Sequence, residues 1–331
     1  MTTFSVIIPT RNRAALLQVA LQSVLSQVDA EFEVVVVNDG TSGEELAAID
    51  RVTTTYAGAA SFIHLPQTAT GHGVHIVLNT GTTHSRGDYF CFLDDDDCWT
   101  DPGHLAHAAR IVQQDASPVD AMFFDQAAFR GDMRAPGPIW LEDLGARLVA
   151  ARGDAGPAQA YAVDPALLLS ARGFAHTNTM IVRRDVFERT GGFDTGLRYE
   201  GDRDFFLRLI DGAAQLRYAP TVCSRHNIPA KASLSTTTST LDKALDQLRL
   251  LHKAVRHARN PAIAAYARRH RRFALRKAVE AAAQNPRLML KLARFLPYLL
   301  TAPGPTETVV TVPIHDEMVA AGRQLPARVS P

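Results

Sequence analysis

The sequence predicts an α/β protein whose central sheet is mostly parallel. In the first hundred residues, short apolar runs alternate with segments whose apolar residues recur at helical spacing. Strands that alternate with helices in this way form βαβ units, with parallel strands and right-handed crossovers. The composition is that of a globular protein, with 46% hydrophobic and 21% charged residues. A chain of 331 residues has room for one large domain with an appendage, or for two domains.

Four apolar runs are predicted as strands of this sheet. The first run is rich in β-branched and aromatic residues, and we expect Pro9 to end it. The second is followed by the turn Asn38-Asp39-Gly40. The predicted strands cover residues 4–8, 32–37, 61–65 and 89–93.

Three segments between these strands have the apolar spacing of helices. In the first, Leu17, Leu21, Val24 and Val28 lie on one helical face. The predicted helices cover residues 13–28, 44–49 and 74–85.

Four consecutive aspartates, residues 94–97, follow the fourth predicted strand directly. Adjacent carboxylates repel one another, and hard oxygen ligands at this density suit Mg²⁺ or Mn²⁺, which would relieve the repulsion. Open α/β sheets build their sites at the carboxyl ends of the strands, where these aspartates fall. An acidic surface turn is the alternative interpretation.

Polar residues also follow the first two strands. Thr10, Arg11 and Arg13 come after the first strand, and Asp39 comes after the second. Parallel strands bring these side chains to the sheet edge that holds the aspartates. A nucleotide fits this edge, because Asp39 would accept a hydrogen bond from a base or a ribose and the aspartates would hold a metal on a diphosphate. The sequence has no GxGxxG after a strand and no GxxxxGKS/T, which excludes a dinucleotide oxidoreductase and a P-loop protein.

The cysteines and the first residues give no sign of secretion. Cys91, Cys98 and Cys223 have no CxxC spacing, which argues against a zinc site or a disulfide framework. The chain opens directly into a strand-like run, unlike a signal peptide, and no run approaches the roughly 18 apolar residues of a membrane span. We therefore expect a cytoplasmic protein.

Charge is distributed unevenly, although the formal net charge is +1. Residues 241–300 hold 14 Lys and Arg against 3 Asp and Glu, whereas the remainder holds 21 basic and 31 acidic residues. This contrast marks a boundary between an acidic body and a basic C-terminal segment.

The motifs, taken in order, resemble those of family 2 glycosyltransferases, which have the GT-A fold. The resemblance covers about residues 4–230 and includes SVIIPTRNR at 5–13, VVNDG at 36–40, FLDDDD at 92–97 and YEGDRDFFLRL at 199–209. It implies transfer of a sugar from a nucleoside diphosphate to an acceptor hydroxyl, usually with inversion. The implied division is a nucleotide-sugar-binding half at 1–97, an acceptor-binding half at 98–235, a basic helical extension at 236–300 and a Pro-containing tail at 301–331.

The resemblance also implies roles for individual residues. By match to the family's DxD motif, Asp96 ligates the metal, Mg²⁺ or Mn²⁺, while Asp94 and Asp95 contact the ribose or a metal-bound water. His226 resembles a histidine that in some members reaches the metal or the diphosphate, and a structural hydrogen bond is its alternative role. The implied donor-binding residues are Pro9, Thr10, Arg11, Arg13, Asp39, Asn79, Asp94 and Asp95. The implied acceptor is a saccharide, a lipid-linked molecule or a small molecule with a free hydroxyl.

Asp202 matches the family's catalytic base, which removes the proton of the acceptor hydroxyl. The family usually has a Glu-Asp pair here, but Gly201 takes the Glu position and Glu200 lies one residue earlier. The alternative is that Asp202 caps a helix, since Asp is favoured at the N-cap.

Two further departures concern the donor. Arg11 stands where an aromatic residue often stacks on the base, and its guanidinium plane is able to stack as well. An arginine often found before the Asn79 position is missing, and His72 or His75 is a candidate replacement.

The basic extension is predicted to be helical. Asn285 and Pro286 form an N-cap and first-turn pair, after which an apolar stripe alternates with basic residues. Such a helix suits the inner face of an anionic membrane, whereas the alternative is that the stripe packs on the catalytic domain or on a second subunit. Few aromatics interleave with the basic residues, so nucleic-acid binding is disfavoured.

Two other functions fit the sequence less well than glycosyl transfer. A sugar-1-phosphate nucleotidyltransferase would need a Gly-rich N-terminal loop, which residues 9–13 do not supply. A sugar-nucleotide-binding scaffold without catalysis would have no need for all the acidic groups together.

Overall fold

A ten-stranded mixed sheet runs through the computed structural model, which describes residues 2–156, 158–228 and 238–300. The strands are β1 (Thr3–Thr10), β2 (Glu31–Asn38), β3 (Ser61–His64), β4 (Tyr89–Phe92), β5 (Cys98–Trp99), β6 (Ala121–Arg130), β7 (Met133–Arg134), β8 (Tyr161–Val163), β9 (Met180–Arg183) and β10 (Leu216–Asn227). Their order is β3-β2-β1-β4-β9-β6-β10-β5, with β7 paired to β6 and β8 paired to β10.

Helices cover both faces of this sheet. Within the described ranges they are α1 (Ala14–Leu25), α2 (Glu45–Tyr56), α3 (Val74–Thr83), α4 (His104–Gln114), α5 (Glu142–Arg152), α6 (Pro165–Leu168), α7 (Arg184–Thr190), α8 (Gly201–Gly212), α9 (Thr240–His257), α10 (Pro261–Ala282) and α11 (Pro286–Phe295). Two 3₁₀ helices cover Thr177–Thr179 and Leu296–Leu299.

The first half of the sheet has the predicted parallel arrangement. Strand β1 pairs in parallel with β2 and β4, and β3 pairs in parallel with β2. All four predicted strands and all three predicted helices are present. The expectation that Pro9 ends the first strand is wrong, because Pro9 remains in β1 opposite Val37 while the pairing with β4 has already ended at Ile7.

The second half of the sheet departs from the parallel pattern. Strand β9 inserts antiparallel between β4 and β6, and β10 is parallel to β6 but antiparallel to β5 and β8. The carboxyl ends of β1, β2 and β4 still meet at one edge, which carries the residues predicted to bind the donor.

Alternate residues of β1 supply two separate apolar layers. Ile7 belongs to a core with α5, α7, α8 and the C-terminal helices, whereas Val6 and Ile8 pack with α1, α2 and α4 on the other face. This alternation follows from the two-residue period of a strand whose two faces are both covered.

The C-terminal helices share the larger core. Leu292 and Phe295 of α11 are only 4% and 7% exposed, so the centre of the predicted apolar stripe packs on the rest of the protein. Asn285 caps α11 as predicted, accepting a hydrogen bond from the amide of Arg287 at 2.8 Å. In the ranges that the structure describes, no helix is both long enough and apolar enough to cross a membrane. The predicted tail at 301–331 lies outside these ranges.

Candidate active site

The four aspartates after β4 alternate between the cleft and the protein interior. The side chains of Asp94 and Asp96 are 30% and 25% exposed, whereas those of Asp95 and Asp97 are 7% and 0% exposed. Carboxylate oxygens of Asp94, Asp96 and Asp97 all lie within 4.8 Å of one another. Two of the four carboxylates are therefore open to a ligand, and the other two are held by neighbouring groups.

Asp95 ties the aspartate turn to the end of β1. Its carboxylate accepts from the hydroxyl of Thr10 at 2.7 Å and from the guanidinium of Arg13 at 3.1 Å. Arg13 also donates to Asp96 at 3.0 Å. Burial, opposed in part by Arg13, raises the pKa of Asp95 to about 6. Thr10 and Asp95 are thus bonded to each other beneath the edge, and their predicted contact with the donor is replaced by a supporting role.

Asp97 orients His226. One oxygen of Asp97 accepts from Nδ1 of His226 at 2.8 Å and from Asn178 at 2.5 Å, and the other accepts from the amide of Asn227 at 2.7 Å. Although burial opposes it, the hydrogen bond to Asp97 raises the pKa of His226. Because Nδ1 is engaged, Nε2 is the nitrogen left for a ligand.

An aromatic cluster beside His226 was not predicted. The ring centroids of Trp140 and His176 both lie 5.1 Å from that of His226. Nε2 of His176 is 3.9 Å from a carboxylate oxygen of Asp94, and burial, reinforced by His226, lowers the pKa of His176 to about 4. His176 stands in a run with several polar residues, residues 174–179, that precedes β9, whereas no sequence motif contains Trp140.

Asp39 and Arg11 lie together at the end where a base is expected. Asp39 accepts from the amide and from Nδ1 of His72, at 2.7 and 2.8 Å, and from the amide of Gly73 at 3.2 Å. Arg11 donates to the carbonyl of Thr68 at 3.2 Å, and its Nε is buried without a hydrogen-bond partner. His72, one of the two candidates to replace the missing arginine, is therefore at this end of the site.

Asn79 and His75 lie beneath the site instead. Asn79 is fully buried, and its amide group donates to the carbonyl and accepts from the amide of Phe193, both at 2.9 Å. Both ends of this side chain are occupied by backbone, so its predicted donor contact is wrong. His75 is buried as well, with Nδ1 at 2.7 Å from the carbonyl oxygen of Leu197.

Asp202 is the second residue of α8, near the aspartates. The N-cap position belongs to Glu200, which has a left-handed backbone with φ +53° and makes no capping bond through its side chain. Asp202 is therefore not the N-cap residue, although its carboxylate accepts a hydrogen bond from the first-turn amide of Arg203 at 2.9 Å. Burial, followed by the charge of Glu200, raises the pKa of Asp202 to about 7. The charge of Asp202 in turn contributes to the raised pKa of Asp94, after burial and the other aspartates, so the two carboxylates are near enough to interact electrostatically.

Comparison with known proteins identifies the family. The model of Glycosyl transferase family 2 matches residues 5–156. A glycosyltransferase of Haemophilus influenzae is 26% identical over 261 residues, covering 77% of this chain and 79% of the relative. A PGL/p-HBAD biosynthesis glycosyltransferase of Mycobacterium bovis is 28% identical over 225 residues, covering 68% and 76%.

Residues 5–156 therefore form a domain of glycosyltransferase family 2, and the chain is a glycosyltransferase.

Solved structures of glycosyltransferases share its GT-A fold. S. aureus TarS 1-349 in complex with UDP-GlcNAc superposes with a TM-score of 0.61 at 18% identity, covering 86% of this chain and 74% of that chain. The mannosyltransferase PcManGT from Pyrobaculum calidifontis, in complex with GDP-Man and Mn²⁺, superposes at 0.55 with 21% identity, covering 91% and 81%. The chain spans 43% of a longer TarS chain.

The side chains around the aspartate turn of this glycosyltransferase are suitable ligands for a divalent metal. Asp94, Asp96 and Asp97 form one group of candidate ligands, and Asp97, His176 and His226 form a second, with the ligand atoms of each group within 4.8 Å of one another. Burial and the neighbouring carboxylates raise the pKa of Asp94 and of Asp96. A divalent cation would offset this repulsion, which is the physical reason for expecting one here.

Proposed function

We propose that the protein is a metal-dependent inverting glycosyltransferase that moves a sugar from a nucleoside diphosphate to an acceptor hydroxyl. The observation that carries the proposal is the electrostatic coupling of Asp202 to Asp94. A carboxylate with a pKa near neutrality, in the first turn of α8, thereby interacts with the carboxylates that fit a metal on a diphosphate.

The donor is proposed to lie along the ends of β1, β2 and β4. Its base would occupy the end formed by Arg11, Asp39 and His72, where the buried Nε of Arg11 still lacks an acceptor. Its diphosphate would lie at Asp94 and Asp96. The complexes of TarS with UDP-GlcNAc and of PcManGT with GDP-Man support a nucleotide sugar as the ligand class.

Mg²⁺ or Mn²⁺ would be held by Asp94 and Asp96, with Nε2 of His226 as a further ligand. A divalent ion on the diphosphate neutralises the charge of the leaving group, which makes the diphosphate easier to expel. Asp97 and Asn178 are proposed to fix the orientation of these ligands, because they bond to each other and to His226 or to the amide of Asp94.

Asp202 is proposed as the base. In its ionised form it takes the proton of the acceptor hydroxyl as the oxygen bonds to the anomeric carbon. The bond between that carbon and the diphosphate oxygen breaks on the opposite face, so the configuration inverts and the diphosphate carries away the electron pair. A pKa of about 7 makes Asp202 more basic than an ordinary carboxylate while leaving it largely ionised just above neutrality.

The acceptor is proposed to enter beside β6. A cavity of about 420 Å³ there has both apolar and charged lining residues, namely Ala127, Ala128, Arg134, Pro138, Glu142 and Asp143. Ala128 is the strand neighbour of His226, so the cavity adjoins the proposed diphosphate end. The charged rim would suit the hydroxyl groups of a saccharide or of a polar small molecule.

The outer face of α10 is proposed to contact an anionic membrane surface. Arg268, Arg269, Arg272 and Arg276 are exposed along this face, and the side chain of Phe273 is 61% exposed beside them. Basic residues with an exposed aromatic side chain bind the interface of anionic bilayers. The stripe of α11, which the sequence offered for this role, is buried at its centre, where Leu292 and Phe295 pack in the core.

The test of the proposed function is thermal stabilisation by UDP, GDP, dTDP and CMP, each with and without Mn²⁺. A ligand that binds only the native state raises its stability, so this measurement needs no known acceptor. We expect one nucleotide to raise Tm in a metal-dependent way and Asp96→Ala to abolish the shift. The absence of any shift with all four nucleotides would contradict the proposal.

A further inference from the structure

We propose that the C-terminal helices form part of the active site by positioning the loop that carries the base. This inference rests on the proposed role of Asp202. Residues 197–203 form this segment, the base loop. Each of its contacts with α9 and α10 bears on residues next to Asp202 in the chain.

The first contact joins α9 to the start of the base loop. One oxygen of Asp246 accepts from the consecutive amides of Arg198 and Tyr199, at 3.2 and 3.1 Å. Asp246 is only 5% exposed, and its other oxygen accepts from Arg249 at 2.7 Å. A buried carboxylate in this position fixes the direction of the backbone as it approaches α8.

The second contact holds the strained residue of the loop. Glu200 has a φ of +53°, a conformation that costs free energy for a residue with a side chain. One of its carboxylate oxygens accepts from Gln247 of α9 at 2.7 Å, and the other accepts from Arg203 at 2.8 Å. Bonds to both oxygens stabilise a backbone conformation that places Asp202 in the first turn of α8.

The third contact comes from α10. Arg203 is 8% exposed, and its guanidinium donates to the hydroxyl of Tyr266 at 2.9 Å with its carbon 5.3 Å from the ring centroid. In the same first turn of α8, Asp204 pairs with Lys253 of α9 at 2.8 Å. Asp202 is therefore flanked in the chain by residues that the extension holds on either side.

These contacts give the extension a catalytic consequence. A base that is displaced by about 1 Å can cost on the order of a hundredfold in rate, even when the substrate still binds. The donor pocket at β1, β2 and β4 has no part in these contacts. Asp246, Gln247 and Tyr266 are thus positioning residues for the base, and their loss is expected to lower kcat while leaving donor binding intact.

The test compares Asp246→Ala, Gln247→Ala and Tyr266→Phe with the matched control Lys291→Gln. Lys291 bonds to Asp242, a contact between α11 and α9 that does not touch the base loop. Release of UDP from UDP-GlcNAc, or of GDP from GDP-Man, is followed in Mn²⁺ with whichever donor the wild-type protein turns over. We expect kcat to fall about tenfold or more in the three variants with the donor KM within twofold of wild type, and no change in Lys291→Gln. Asp246→Asn, which keeps an acceptor oxygen, is expected to recover most of the activity.

Two results would overturn the inference. One is a wild-type kcat when all three substitutions are combined. The other is a fall in kcat matched by an equal loss of nucleotide binding, which indicates general destabilisation only. Asp202→Asn, measured alongside, separates the two claims. Full turnover in that variant would refute the proposed base, whereas an inactive Asp202→Asn with fully active extension variants would refute the positioning role alone.

Discussion

The imidazole of His75 fills the space that a side chain at position 201 would occupy. A Cβ built on Gly201 would lie 2.1 Å from Cε1 of His75, which no real contact allows. Nδ1 of His75 is bonded to the carbonyl of Leu197, so the ring is held against the base loop. Gly201 and His75 are therefore a matched pair, and this explains why the Glu usual at this position in the family is absent here.

This pairing predicts that Gly201→Ala is destabilising although Ala favours helices. We expect a loss of about 1–3 kcal/mol from overpacking against His75. The matched control is Gly212→Ala at the other end of α8, where an added Cβ meets nothing within 4 Å. Urea unfolding measures both, and a Gly201→Ala protein as stable as wild type would show that the imidazole moves aside freely. His75→Ala in the same chain is expected to restore part of the loss, as a double-mutant cycle would measure.

The raised pKa of Asp202 predicts that kcat falls on the acid side of the pH profile, which is called the acid limb. Its pKa is raised to about 7 by burial and by Glu200, so the base is lost by protonation as the pH falls through about 7. Glu200→Gln removes one of the two causes and keeps hydrogen-bonding atoms, and we expect it to move the limb to lower pH. Steady-state rates between pH 5.5 and 8.5 at fixed Mn²⁺ measure this shift. An acid limb at the same pH in Glu200→Gln and wild type would show that Glu200 does not raise the pKa of the base.

We expect a substitution of Asp97 to weaken metal binding through its effect on the orientation of His226. Asp97→Asn weakens the charge-assisted bond that orients His226. We expect the Mn²⁺ concentration needed for half-maximal stabilisation by the nucleotide to rise about 10–100-fold. Asp101→Asn, outside the cluster, serves as the control. Equal Mn²⁺ dependence in Asp97→Asn and wild type would argue that His226 does not act on the metal.

Asp125 predicts a pH dependence of stability away from the site. It is 6% exposed and accepts from the hydroxyl of Tyr218 at 2.8 Å, and burial raises its pKa to about 7. Because the folded pKa lies above the unfolded value of about 3.9, its contribution to stability is present at low pH and is lost as the pH rises through about 7. The side chain of residue 125 is always neutral in Asp125→Asn. Between pH 5 and pH 8 we therefore expect the free energy of unfolding to fall in wild type and to fall by about 1–3 kcal/mol less in the variant. Parallel pH curves for the two proteins would contradict this expectation.

The outer face of α10 predicts binding to anionic vesicles. We expect co-sedimentation with phosphatidylserine-containing vesicles but not with phosphatidylcholine alone, because basic residues near an anionic surface each contribute about 1 kcal/mol at moderate salt. Arg268→Gln combined with Arg272→Gln should weaken binding about tenfold or more, while Lys291→Gln should not. Equal sedimentation with both kinds of vesicle would disprove the charge-based contact.

Sequence patterns predicted the parallel half of the fold because local signals define it. Apolar runs, helical spacing and turn residues are all short-range features, and they located β1 to β4 and α1 to α3. The antiparallel insertion of β9 between β4 and β6 depends on contacts distant in the chain, which no local pattern records.

The site was predicted in part for the same reason. Asp94 and Asp96 stand in a motif and lie at the carboxyl end of β4, where the sequence predicts a site, and their role in that site stays a prediction. Asn79 stands in a motif too, but both ends of its side-chain amide are hydrogen-bonded to the backbone of Phe193. Phe193 is more than a hundred residues away in the chain. Trp140 comes from a segment without any motif, so only the folded chain shows it beside His226.

Asp202→Asn is the decisive test of Asp202 as the base of a glycosyl transfer. Transfer would be measured with the donor that stabilises the wild-type protein, together with nucleotide binding on the same preparation. We expect kcat to fall about 10²–10⁴-fold while the metal-dependent nucleotide shift in Tm is retained. An Asp202→Asn protein that transfers sugar at the wild-type rate would contradict this role.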